Sequence, residues 1–111
     1  MGLPEASGYC ASKGAVTTMT KAAAIEVAHR NIKINALHPG VVWTPMVGGG
    51  DEGDDGLKGF FELETPLREV GLPKNMADAI LFLCTTEYLT GSDLNVDGGR
   101  LADGAMGSNA T

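Results

Sequence analysis

Tyr9 and Lys13 are the two residues whose types and spacing most directly suggest chemistry. They stand four positions apart at the start of a long helical pattern, and residues i and i+4 share one face of an α-helix. A free phenol titrates near ~10, so it exchanges protons poorly in neutral water. A fixed ammonium beside it favours the phenolate and brings the group toward the range where general acid–base catalysis works best. The pair reads as a proton-transfer device. A Tyr-x-x-x-Lys arises by chance in about one chain in five of this length, so the spacing alone is a weak signal.

Support lies in the order of the later segments. An Ala-rich helical pattern runs on from Lys13 to Arg30. After it come a β-like stretch over residues 32–37, the turn Asn35-Ala36-Leu37-His38-Pro39-Gly40, and then Val41-Val42-Trp43-Thr44-Pro45-Met46. Much later a second strand-like stretch closes on Asn95-Val96-Asp97-Gly98-Gly99. Together, the Tyr-x-x-x-Lys, the Asn-x-x-x-Pro-Gly turn, the Thr a few residues on and the terminal Val-Asp-Gly-Gly resemble the C-terminal half of a short-chain dehydrogenase/reductase, over about residues 2–102.

The resemblance implies an NAD(P)-dependent oxidoreductase that interconverts a secondary alcohol and a ketone. Tyr9 would donate a proton to the carbonyl oxygen, and Lys13 would lower the Tyr9 pKa and hold the nicotinamide ribose hydroxyls. Pro39 and Gly40 would shape the cofactor loop, in which Val42 would bond the nicotinamide carboxamide through its backbone and Thr44 would contact the carboxamide or phosphate. Tyr9 and Lys13 thus count among both the catalytic and the cofactor-binding candidates. The wording around His38-Pro39-Gly40 and Thr44-Pro45-Met46 is closest to hydroxysteroid and cyclic-alcohol dehydrogenases, with ketoacyl-carrier-protein reductases sharing nearly every motif. The substrate expected is a small alcohol or ketone, a steroid or cyclic alcohol among them, and relatives suggest a homo-oligomer. The family's glycine-rich phosphate turn and catalytic serine belong before the tyrosine, where only eight residues stand here. The chain is therefore expected to be a fragment of a longer enzyme, inactive and poorly stable by itself, with the choice between NAD and NADP made elsewhere. The alternative is a non-enzymatic remnant that binds no cofactor tightly.

Composition narrows the remaining classes. The 111 residues allow one small domain. A net charge of −6 and a pI near 4.7 argue against nucleic acid or an anionic membrane surface as partner. The longest wholly apolar run, Ala79 to Cys84, is six residues, far short of the ~20 that span a bilayer. The N-terminal residues lack the basic and apolar segments of a signal peptide, so a cytoplasmic protein is expected. Cys10 and Cys84 lack Cys-x-x-Cys spacing and read as free thiols. His29 and His38 form no His-x-x-x-His, so no metal site is expected.

The elements that must position these residues are set by periodicity. A helix is expected from about Gly8 to Arg30, with Ser7 as N-cap and Asn31 in the left-handed position that ends it. Val16, Met19, Ala23 and Val27 form one apolar stripe and Ala11, Ala15, Ala22 and Ile25 another, which predicts burial on two sides. A second helix is expected from Pro73, suited to a first helical turn, to about Thr86. Strands near 32–37 and 93–96 should be parallel neighbours, because a helical crossover links parallel strands. The expected fold is α/β: the C-terminal half of a Rossmann-type doubly wound parallel sheet, with residues 1–102 as one domain part. Within it a flap spans about 45–72, its Gly- and acid-rich residues 48–56 too polar to order and a short helix near 57–63 lying over the pocket. Phe60 and Phe61 serve either that pocket or the core, and residues 103–111 form a flexible tail.

Overall fold

Helix α1 spans Ser7–Val27 and runs into a 3-10 turn, Ala28–Arg30, in a computed structural model that describes residues 7–45 and 55–102. The flap residues 48–54 and the 103–111 tail, for which the sequence predicts mobility, lie outside the described residues. Asn31 ends the helical segment as expected: its φ is 56° and its N–H donates to the Ala28 carbonyl. Ser7 is itself helical rather than an N-cap.

The remaining elements are strand β1 (Ala36–Pro39), helix α2 (Asp55–Glu64), helix α3 (Pro73–Thr85) and strand β2 (Asp93–Val96). Pro73 opens α3, and the Asn75 side chain accepts from the Leu72 N–H at 2.8 Å, the reach-back of a capping box. Helix α2 begins before the expected 57–63 span and takes in Asp55 and Gly56, which the composition assigns to the mobile run.

Strands β1 and β2 pair. The Ala36 N–H donates to the Ser92 carbonyl and the Gly40 N–H to the Val96 carbonyl. Both chains advance together between those bonds, so the pair is parallel, as the crossover predicts. Strand β1 is displaced along the chain from the expected 32–37, beginning at Ala36 and including Pro39, which the sequence assigns to the turn. Residues 32–35 are not strand, because side chains take the bonds a ladder would use: the Ile34 N–H donates to Thr90 Oγ1, while Asn35 donates to the Leu89 carbonyl and accepts from the Ser92 N–H.

The chain divides into two compact units: residues 1–37 with 82–94, and residues 38–81 with 95–111. In the first, Ala24 is buried and would lie 3.6 Å from a Cβ on Gly91, whose φ is +72°. Lys21 Nζ binds Asp93 Oδ2 at 2.8 Å and reaches the Gly91 carbonyl. The buried Thr20 hydroxyl is satisfied by the Val16 carbonyl one turn back. In the second unit Val70 and Thr65 are buried, and Thr65 donates to the Phe61 carbonyl. Phe60 is exposed, with its ring edge-to-face against half-buried Phe61.

Burial of α1 on two sides is corrected. Val16 and the Ala11, Ala15 and Ala22 side are exposed, as are Met19 at 64% and Ile25 at 77%. A two-stranded sheet offers a helix one narrow surface. Among the described residues of α1 only Thr20 and Ala24 are buried; Ala23 and Val27 of the first stripe are half-buried, and the second stripe lies in solvent.

Candidate active site

Tyr9 and Lys13 occupy the first two turns of α1, four residues apart. Residues at this spacing share one face of an α-helix. The Lys13 side chain is exposed. Both belong to the first unit, in which the lower part of α1 is anchored by the Lys21–Asp93 pair and by Ala24 against Gly91. Gly14, beside Lys13, has open space where a Cβ would stand.

Pro39, Gly40, Val42 and Thr44 form one continuous segment of the second unit, leading out of β1. Pro39 is exposed and the other three are half-buried. The sequence motifs assign no role to Gly71, yet it organises this loop. The Gly71 N–H donates to the Val41 carbonyl and the Trp43 N–H donates to the Gly71 carbonyl, both at 2.8 Å, making an isolated parallel bridge between Val42 and Gly71. In such a bridge the middle residue uses neither of its own backbone groups. The Val42 N–H and C=O therefore point to the side opposite Gly71. A donor and an acceptor on one residue, both turned the same way, match the two hydrogen-bonding ends of a carboxamide. Gly71 stands in no periodic pattern, so nothing local marks it.

Two depressions lie in the second unit. One, of about 230 Å³, sits among Val41, Thr65, Val70, Met76, Val96 and Asp97. It falls below the ~300 Å³ at which small-molecule sites begin. The other is an open, mostly apolar surface over α2 between Gly56, Gly59, Phe60, Leu63 and Arg68. Among the described residues no three His, Cys, Asp or Glu side chains gather as a metal site would require. Cys84 is a free, exposed thiol. No described helix is long and apolar enough to cross a membrane.

A family model described as enoyl-(acyl carrier protein) reductase matches residues 1–100. The chain is 39% identical over 105 residues to a cyclopentanol dehydrogenase of Comamonas, covering 93% of this chain and 42% of that protein. It is 38% identical over 102 residues to the 3-oxoacyl-[acyl-carrier-protein] reductase of Rickettsia bellii, covering 90% and 41%. Among solved structures it superposes on ElxO with NADP bound at a TM-score of 0.79 and 34% identity, over 93% of this chain and 42% of that one. The chain thus spans about two-fifths of the length of the curated relatives it matches. Matched along its length by the family model, and sharing a parallel α/β arrangement with Rossmann-type structures, the chain belongs to the short-chain dehydrogenase/reductase family.

Proposed function

We propose that this chain carries the proton-transfer pair and the nicotinamide-facing loop of an NAD- or NADP-dependent oxidoreductase that interconverts a secondary alcohol and a ketone. The observation that carries the reading is the Val42–Gly71 bridge, which turns the Val42 backbone pair away from Gly71 and leaves it suited to a carboxamide. The bound cofactor would supply or take the hydride at the carbinol carbon. Tyr9 would give its phenolic proton to the carbonyl oxygen during reduction and take it back during oxidation. Lys13, on the same helical face, would favour the phenolate and bind ribose hydroxyls. Thr44, at the end of the loop, would meet the carboxamide or phosphate. The substrate would be a small alcohol or ketone, such as a cyclic alcohol of the kind named for the Comamonas relative. A ketoacyl thioester, as named for the Rickettsia relative, is the competing substrate class.

Trp43, the one tryptophan of the chain, lies inside the loop and reports on it directly. Titration of the chain with NADPH and with NADH should quench its emission, and cyclopentanol oxidation by a full-length short-chain dehydrogenase carrying this segment should be visible in the absorbance of the reduced cofactor. Absence of quenching in the chain, or of turnover in that full-length protein, would refute the proposal. A second reading has an observation of its own: the exposed Met19, Ile25, Leu81 and Tyr88 suit a chain that completes its burial only with further protein, whether a second copy or another segment. On that reading the chain binds no cofactor tightly unless assembled, and sedimentation measured beside the titration separates the two.

A further inference from the structure

We propose that Asp97 is a positioning residue, whose side chain holds the turn that supports both the Gly40–Thr44 loop and the segment after α2 at Thr65–Leu67. The importance of that loop for a nicotinamide rests on the function proposed above; the mechanical support does not.

The turn is Asp97-Gly98-Gly99-Arg100, closed by the Arg100 N–H on the Asp97 carbonyl. Gly98 and Gly99 have φ of +65° and +93°. Positive φ at both central positions is the signature of a type I′ turn, which side chains bearing a Cβ adopt only with strain. The Asp97 carboxylate offsets this by accepting twice, at 3.0 Å each, from the Gly99 N–H on Oδ1 and the Leu101 N–H on Oδ2. The turn is thus fastened from within by one side chain.

Two neighbours rest on it. On one side, the Gly40 N–H donates to the Val96 carbonyl, and a Cβ on Gly40 would fall 2.7 Å from Asp97 Cα. On the other, the Leu67 N–H donates to the Gly98 carbonyl. A Cβ on Gly98 would fall 2.5 Å from Thr65 Cγ2, and one on Gly99 would fall 3.2 Å from Pro66. Thr65 is itself buried, so it has little room to yield. Packing this close transmits displacement instead of absorbing it. Both the loop that faces the cofactor and the segment that ends α2 therefore depend on the same turn.

Amide hydrogen exchange on the chain tests this without any cofactor. In Asp97→Ala, exchange at Gly40 and at Leu67 should rise together by about tenfold or more, while Ala36 and Gly91 of the other unit stay within about twofold. Asp97→Asn, which keeps the acceptor for the Gly99 N–H, should return both amides to within about threefold of the parent. Gly98→Ala strains the turn through its φ of +65° as well as through its approach to Thr65, and should speed exchange at Gly40 and shift Trp43 emission. An Asp97→Ala variant with unchanged Gly40 or Leu67, or a Gly98→Ala effect confined to Leu67, would overturn the proposal. Should Asp97→Ala unfold outright, the Gly98→Ala result decides alone. NADPH titration read by Trp43 quenching should show about tenfold weaker binding in Asp97→Ala, recovered in Asp97→Asn. A parent chain that shows no quenching refutes the cofactor reading and leaves the exchange result to judge the support.

Discussion

Gly40 and Asp97 are packed so closely that no side chain fits between them: a Cβ on Gly40 would fall 2.7 Å from Asp97 Cα and 2.8 Å from Asp97 Cβ. The Pro-Gly turn after β1 and the Asp-Gly-Gly turn after β2 are thus two halves of one close approach, fixed by the Gly40 N–H bond to the Val96 carbonyl. What looks in the sequence like a generic loop glycine is a steric requirement.

Gly40→Ala should therefore destabilise the fold by about 1–3 kcal/mol, the usual range for overpacking. Gly14→Ala should do the opposite. Gly14 is helical, with nothing within 4 Å of an added Cβ, so alanine should stabilise by about 0.5–1 kcal/mol. Urea denaturation of both variants checks the opposed signs.

In a full-length short-chain dehydrogenase carrying this segment, Tyr9→Phe should abolish ketone reduction while leaving cofactor binding nearly intact, because it removes only the proton donor. Lys13→Met should impair both, because its ammonium serves the phenol and the ribose together. Turnover measured beside Trp43 quenching separates the effects, and a Tyr9→Phe protein with full turnover would sink the assigned roles.

Asn35→Ala should cost about 1–3 kcal/mol, since it leaves the Leu89 carbonyl and the Ser92 N–H without their side-chain partner. Asn35→Asp keeps an acceptor for Ser92 but loses the donor to Leu89, so thermal melts should place it between alanine and the parent.

The Lys21–Asp93 pair should contribute little. Lys21 is 52% exposed, and pairs of this kind contribute about 0–1 kcal/mol and weaken with salt. A double-mutant cycle through Lys21→Met and Asp93→Asn, run at low and high ionic strength, should give a coupling within that range that shrinks at high salt.

Thermal unfolding of the chain alone should be broad and centred below the ~45 °C at which mesophilic domains begin to melt. Among the described residues no large side chain is fully buried, while Met19, Ile25, Leu67 and Leu81 are mostly exposed. Calorimetry showing one sharp transition above that temperature would contradict this.

Local signals carry far in this chain. The helical periods, Pro73 at the start of α3, Asn31 at the end of the first helical segment and the 93–96 strand are all legible in the residues themselves, because each depends on groups a few positions apart. The parallel pairing is legible too, since a helical crossover leaves little choice of direction. Ordered motifs suffice for the family. Tertiary structure decides the rest. Asn35 looks like part of a strand, but its side chain reaches Leu89 and Ser92, more than fifty positions away, and displaces the start of β1 to Ala36. The two apolar stripes of α1 promise burial on both sides, yet a period reports which residues share a face and says nothing of whether a surface exists to receive them. Gly71 carries no periodicity at all; only its pairing with Val42 gives it a role. Such relationships arise where distant backbones meet, and the free energy that selects them belongs to the meeting, not to either segment.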